Sequence, residues 1–260
     1  MTRSTVCDWC KVTLDFTGLS ILVAGDPIVD VYHWGHVDRM SPEAPVPVFI
    51  EDGHEARPGG AHNVAEQLKA LGVSVAVYWR EDDKSTEKHR YMVGSHQLMR
   101  LDRDRCVRSS LDFAEALDYD AIVISDYAKG HCTHDLCQHL IRTGIPVIVD
   151  PKGRDWDKYR GCAVICPNHL EVNGHEGFNL IEKRGAEGLR YNGIDYPASA
   201  HRVFDVTGAG DTVVSVIAAC IAKGLDIPTA CQLANLAAGY VVSELGTTVC
   251  PIERLRELCS

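Results

Sequence analysis

No apolar run in this 260-residue chain approaches the roughly 20 residues that cross a bilayer. The first residues, among them Cys7, Asp8, Trp9, Cys10 and Lys11, lack the apolar core of a signal peptide. A cytoplasmic protein is therefore expected. Positive charge is short: 26 Lys and Arg against 36 Asp and Glu leave a net charge of -10. That balance excludes general affinity for nucleic acid or anionic membrane and assigns any phosphate-bearing substrate to a local basic cluster. The eleven cysteines show no even-spaced framework, and the chain is too long for a disulfide-stapled mini-domain. Cys7 and Cys10 form a lone C-x-x-C, and His131, Cys132, His134 and Cys137 gather at one helix start. Neither group has a second pair at zinc spacing, so buried thiols are the expectation. There is no internal repeat and no low-complexity segment.

What is present fits one α/β domain over residues 1–260, since 45% of the residues are hydrophobic and the length buries a substantial core. The stretch Asp205-Val206-Thr207-Gly208-Ala209-Gly210-Asp211-Thr212 puts two glycines around one small residue. An apolar run over 212–223, closed by Gly224, reads as a buried helix. The glycines thus stand at a helix N-terminus, where unpaired amides and the dipole hold an anion. Asp211 in that first turn is either a favourable cap or a base that takes a hydroxyl proton beside a transferring phosphoryl group.

Residues 19–24 form a short apolar run ending in Gly25-Asp26, the pattern of a buried parallel strand that delivers a carboxylate to its carboxyl end, where ligands bind in open α/β sheets. Asp26 and Asp30 are candidates for sugar hydroxyls, with turn conformation as the competing reason for acids there. Three prolines over 41–48 force an extended segment, read as an edge strand leaving the main body. A second extended segment, 88–103, is expected to pair with it as a small β lid, with lid segments at about 31–57 and 85–105. Gly59 and Gly60 precede an amphipathic helix ending at Leu71, with Asn63 one turn in. A strand over 73–79, a helix near 109–117, a strand over 121–125, a helix over 133–143 and strands over 146–149 and 163–166 follow. This alternation predicts a mostly parallel sheet covered on both faces. Lys129 and Lys152 emerge after two strands, at the edge where ligands bind. Asn168 and Glu171 are three residues apart, suited to a magnesium ion held through water or to a cap. Asn192-Gly193 marks a hairpin of 189–191 with 194–196, and helices are expected over 227–245 and 252–258.

In order, these pieces resemble the ribokinase-like family of carbohydrate kinases. The segments 41–48 (S-P-E-A-P-V-P-V), 57–65 (R-P-G-G-A-H-N-V-A), 96–102 (H-Q-L-M-R-L-D), 125–130 (S-D-Y-A-K-G), 149–153 (V-D-P-K-G) and 205–212 resemble the branch that phosphorylates a heptose 7-phosphate at C1. They spread over nearly the whole chain. The resemblance implies ATP and Mg2+ as cofactors and a small-molecule sugar phosphate as partner, with neither nucleic acid nor membrane, and a homodimer through the lid as a further expectation. Asp211 would be the base, and Gly208, Ala209 and Gly210 the anion hole. Asp26, Asp30, Gly59, Gly60 and Asn63 would hold sugar hydroxyls, with Arg39, Arg100 and Lys129 for the sugar's own phosphate. Lys152, Asn168 and Glu171 would address ATP phosphates and magnesium, and Gly185, Gly188 and Asn235 would border adenine and ribose.

The sequence also departs from the family pattern. Asp30-Val31-Tyr32 stands where an Asp-Arg-Tyr is usual, so one basic contact is expected to be lost. His62 replaces a small residue, and Glu182-Lys183-Arg184 stands where a threonine precedes the glycine turn. The chain is shortened between Trp79 and Ser85 and again between Val172 and Leu180. No nucleotidyltransferase follows Ser260, so the expectation is a kinase alone. Another acceptor sugar, or a catalytically reduced sugar-binding protein of the same fold, are the alternative readings.

Overall fold

A computed structural model of the chain describes residues 13–78, 85–105, 118–172, 175–200, 202–244 and 248–259. The elements in chain order are strand β1 (Ser20–Gly25), β2 (Pro27–Met40), β3 (Pro47–Gly60), helix α1 (Ala61–Ala70), β4 (Ser74–Tyr78), β5 (Thr86–Val93) and β6 (His96–Arg103). Then come β7 (Ala121–Ser125), α2 (His134–Arg142), β8 (Val147–Asp150), β9 (Val164–Ile165), β10 (Ile181–Lys183), β11 (Leu189–Tyr191), β12 (Ile194–Tyr196), α3 (Ala209–Ala222), α4 (Ile227–Val241) and α5 (Ile252–Leu258).

The central sheet has the order β4-β1-β7-β8-β9, and all four pairings are parallel. Its strands are short, apolar and buried on both faces, as parallel strands between helices are. The two-residue period divides their side chains into two cores. Ile21, Val23, Ala121, Val123, Ile148 and Val164 pack with α1, α3, α4 and α5. Leu22, Ala24, Ile122, Ile124, Val147, Val149 and Ile165 face the other way, toward α2, Trp156 and Tyr159. The strands therefore aim their carboxyl ends, with Gly25, Ser125 and Asp150 in register, at one edge.

A second sheet, of order β3-β2-β5-β6, grows out of this edge. It is larger than the sequence pattern suggests. β2 and β3 are 14-residue antiparallel strands, and the proline-rich 41–46 segment is the turn between them. The 88–103 segment is two antiparallel strands, β5 and β6, folded at Gly94. The proline segment does not pair with them directly, because β2 lies between β3 and β5 and runs parallel to β5. A third, antiparallel sheet joins β10, β11 and β12. Its hairpin turns at Asn192 and Gly193, both with positive φ, the conformation an Asn-Gly turn supplies. The helix expected near 109–117 and the Cys7-Cys10 pair lie outside the described residues.

Candidate active site

Helix α3 starts at the glycine turn. Gly208 caps it at φ 82, a left-handed conformation that glycine adopts without a Cβ clash. The first-turn amides of Gly210 and Asp211 have no backbone acceptor among the described residues, as helix geometry requires. Asp211 is 6% exposed. Its Oδ2 accepts a hydrogen bond from Asn63 Nδ2 at 2.6 Å, and its Oδ1 accepts one from the Tyr127 hydroxyl at 2.9 Å. Ser215 Oγ donates to Val64 O and to Asp211 O, which locks α3 against α1 and so holds Asn63 opposite Asp211. Burial, and then the charge of Asp150, push the Asp211 carboxyl up to about 6, opposed by the bonds from Asn63 and Tyr127 and by Lys183. At neutral pH the group is ionised, yet close enough to neutrality to accept a proton.

Asp26 has a task within the fold. Its carboxylate accepts from the amides of Tyr127, Lys129 and His131 at 2.7, 3.1 and 3.0 Å and is 1% exposed. It holds the 126–131 loop, bent through Ala128 at φ 57, and thereby aims Tyr127 at Asp211. Asp26 thus positions the loop that carries Tyr127. The diglycine is likewise required by the protein's own packing. A Cβ on Gly59 would collide with Asp30 Oδ2, and one on Gly60, at φ 55, would lie 2.7 Å from Asp26 O.

Asp30 is buried and bonds Arg90 Nη2 at 2.7 Å. The basic contact expected to be lost with Val31 is supplied by β5. Around Asp30 the register sets two rows on one face of the second sheet, Arg57-Asp30-Lys88-Asp102 and Glu55-Tyr32-Arg90-Arg100. Arg57 pairs with Glu55 and Arg100 with Asp102. Lys88 has no carboxylate in ion-pair contact among the described residues, and its Nζ sits 5.0 Å from the centre of the Tyr127 ring. Burial holds the Lys88 ammonium below its ordinary range, with Asp30 pulling it back up. Lys129 pairs with Asp104 at 2.6 Å. Arg39 is not brought to the site: it is paired with Val48 near the far end of β2, nine residues beyond Asp30, which is about 30 Å along a strand.

On the other side of Asp211, Lys183 forms a buried ion pair with Asp150 and lies 3.5 Å from where a Cβ of Gly210 would be. Burial pushes the Asp150 carboxyl up and Lys183 draws it down. The Lys183 ammonium, disfavoured by the same burial, is raised by Asp150. Lys183 was singled out in the sequence only as a departure, and here it stands beside the glycine turn. Its backbone bridges to Asn168. There Glu171 Oε2 accepts from the Asn168 amide at 2.9 Å, Oε1 pairs with Lys152 at 2.8 Å, and Asn168 Oδ1 accepts from the Leu170 amide. The arrangement is a turn closed by its own side chains. Each carboxylate oxygen keeps a second lone pair, so these residues fit an ion held through water and not one coordinated directly. A pocket of about 470 Å³ lined by Gly153, Arg154, Leu170, Glu171 and His175 opens beside them.

Two other expected contacts serve packing. Asn235 Nδ2 donates to Tyr196 O at 2.8 Å, which ties α4 to β12. Gly188, at φ 91, is where a Cβ would overlap Tyr196 O, whereas Gly185, at φ 59, has open space. The carboxylates of Asp26 and Asp126 and the Cys132 thiol converge, but the cation there is the chain's own: Lys158 contacts Asp126 and donates to Cys132 O. Cys132 and Cys137 are buried.

Comparison with known proteins places this geometry. Residues 63–254 match the model of the pfkB family of carbohydrate kinases. The bifunctional protein HldE of Caulobacter vibrioides is 37% identical over 303 residues, covering 90% of this chain and 62% of that protein. HldE of Proteus mirabilis is 37% identical over 306 residues, covering 94% and 65%. The chain thus spans somewhat under two thirds of the length of these relatives. The aligned stretches are longer than the chain itself, so the relatives carry segments with no counterpart here, in keeping with the expected shortening. Among solved structures, the ribokinase of Arabidopsis thaliana complexed with ribose and ATP superposes with a TM-score of 0.68 at 15% identity, covering 94% of this chain and 99% of that one. The phosphofructokinase-2 of Escherichia coli gives 0.68 at 15%, covering 93% and 98%. These two likenesses establish the fold, ribokinase-like and mostly parallel. Together with the family match they show that the chain belongs to the pfkB family of carbohydrate kinases, enzymes that phosphorylate sugars.

Proposed function

We propose that this chain transfers a phosphoryl group from ATP to a hydroxyl of a sugar that already carries a phosphate, most specifically D-glycero-D-manno-heptose 7-phosphate at C1, giving the 1,7-bisphosphate. The observation that carries the reading is Asp211: a desolvated carboxylate, held by Asn63 and Tyr127, in the first turn of a helix whose leading amides have no backbone acceptor among the described residues. Asp211 takes the proton of the attacking hydroxyl. The amides of Gly210 and Asp211 and the Lys183 ammonium stabilise charge on the phosphoryl group in transit, which is the main work in such transfers. ATP supplies the phosphoryl group, and Glu171 and Asn168 would hold Mg2+ through its water shell, with Lys152 beside them. Gly185 and Gly188 stand on the expected adenine side.

The phosphorylated acceptor is supported by Lys88, a partly buried ammonium with no carboxylate in ion-pair contact among the described residues, next to Arg90 and Arg100 on the face that meets Tyr127. An incoming phosphate would supply the missing anion. In this reading the second sheet is a lid on a single 1–260 domain. No helix among the described residues is long and apolar enough to cross a membrane, and a cytoplasmic enzyme fits. Exposed Leu98, Met99 and Leu101 on β6 suit a homodimer through the lid.

The test is ADP release with a panel of heptose 7-phosphate, the unphosphorylated heptose and other sugar phosphates. Strong dependence on the heptose 7-phosphate is expected, because a site built around hydroxyls rejects analogues lacking them. Calorimetry showing sugar binding without ATP binding would replace this reading with the sugar-binding alternative.

A further inference from the structure

The face of the lid opposite Asp30 carries a cluster the kinase reading does not use. We propose that His33, Glu51 and His54 form a binding site for one first-row divalent cation of the zinc type, which clamps β2 to β3. His33 and His54 are direct cross-strand partners. In a regular strand Glu51 and His54, three residues apart, would point to opposite faces. The ladder, however, shifts between Trp34 and Gly35: Trp34 pairs with Gly53 and Gly35 with Glu51, leaving Asp52 as the extra residue of a bulge. The bulge brings Glu51 onto the His54 face. It depends on Gly35, where a Cβ would collide with Ile50 O and lie 2.6 Å from Phe49 Cζ. One donor atom from each of the three residues lies within 4.8 Å of the others.

Counting protons leaves one ring nitrogen of this cluster bare. His33 Nε2 meets His89 Nδ1 at 2.8 Å, His89 Nε2 meets Glu87 Oε2 at 3.0 Å, and His33 Nδ1 faces Glu51 Oε1 at 3.3 Å. The first two contacts are hydrogen bonds, and each needs one proton between its atoms. Two neutral imidazoles bring two protons, which those two bonds use. With protons on His33 Nε2 and His89 Nε2, the bare lone pair is His33 Nδ1. That atom is the buried nitrogen without a hydrogen-bond partner, its approach to Glu51 being outside hydrogen-bond geometry. His54 Nδ1 meets the same Glu51 Oε1 at 2.9 Å, a contact that a metal ion among His33 Nδ1, Glu51 and His54 would replace while it satisfies the bare lone pair.

Two imidazoles and a carboxylate with a fourth position for water are a zinc-type set, and imidazole selects against magnesium. The chain from His33 through His89 to Glu87 is the outer support that metal-binding histidines use. Tyr91, stacked on His33 at 4.6 Å, fixes the ring.

The test is calorimetric titration of the full chain with Zn2+ in excess Mg2+. His54→Ala alters a side chain that is 64% exposed, so the fold should survive, as circular dichroism will verify. His54→Ala and Glu51→Gln are each expected to weaken one Zn2+ equivalent by at least about 100-fold, and Glu87→Gln, behind the ligands, by about 10-fold. With Co2+ the parent should show visible bands of nitrogen and oxygen coordination that His54→Ala removes. Equal Zn2+ affinity in parent and both ligand variants, or a thiolate charge-transfer band unchanged by His54→Ala, would assign the metal to cysteines and overturn the site. Absence of any Zn2+ binding would overturn it as well.

Discussion

Every residue of β7 and β8 is buried, and the one charged side chain, Asp150, stands at a carboxyl end. Every residue of β6 in the lid is exposed, and half of its eight residues are His, Arg or Asp. The two sheets handle charge in opposite ways. The core brings a few ionisable groups to one desolvated edge, where Asp150, Lys183 and Asp211 shift one another strongly. The lid spreads many charges over rows of exposed pairs, where each counts for little. Only at the lid's base, where Arg90 and Lys88 turn inward, do its cations acquire the leverage the core groups have. The chemistry is assigned to that junction.

Substitutions can break this contrast, with the largest effects on the core side. Asp211→Asn is expected to lower kcat by about 10²- to 10⁴-fold, the share typical of a positioned base, with binding of sugar phosphate and ATP retained. Lys183→Met should lower kcat and also destabilise the chain by about 3–5 kcal/mol, because Asp150 is left as an unpaired buried charge. Adding Asp150→Asn should restore thermal stability without restoring turnover. If the double variant regained turnover, Lys183 would be a structural partner of Asp150 and nothing more.

The raised Asp211 pKa has a stability consequence of definite sign. Between its ordinary value of 3.8 and about 6 the folded chain binds the proton more tightly than the unfolded one. This group's contribution to stability is therefore complete below pH 3.8 and is lost as pH rises through 6, a difference on the order of 3 kcal/mol. Denaturant titrations should show Asp211→Asn gaining on the parent as pH rises through that window; parallel curves would place the carboxyl in a solvated setting.

Lid substitutions should do less. Lys88→Met is expected to raise KM for the sugar phosphate by about 10- to 100-fold, the worth of a charged hydrogen bond, while KM for ATP stays unchanged. Arg39→Ala should change either parameter by no more than about two-fold, since Arg39 stands far out on β2.

The core was legible in the sequence because buried parallel strands leave short apolar runs between turn residues, and the 121–125 segment falls where such a run puts it; the antiparallel hairpin over 189–196 was legible from its Asn192-Gly193 turn. Asp211 was legible because a glycine turn before an apolar helix has few other uses. A carboxylate at a strand end looks the same in sequence whether it meets a ligand or, as Asp26 does here, three amides of a neighbouring loop. Asn235 likewise gives no local sign of Tyr196 O, 39 residues away. The long β2 and β3 were missed because mixed, half-exposed strands carry weak periodicity and the prolines between them dominated the pattern. Lys183, Lys88 and Arg90 acquire meaning only from what the sheets bring beside them, and no local spacing signals that.

The most direct measurement is the pH dependence of single-turnover phosphoryl transfer in the parent and in Asp211→Asn. The parent rate should rise as pH increases through about 6, as Asp211 loses its proton and becomes able to accept one, and the variant should be slow with that limb absent. A variant that keeps the parent's rate and its rising limb would contradict the assignment of Asp211 as the base.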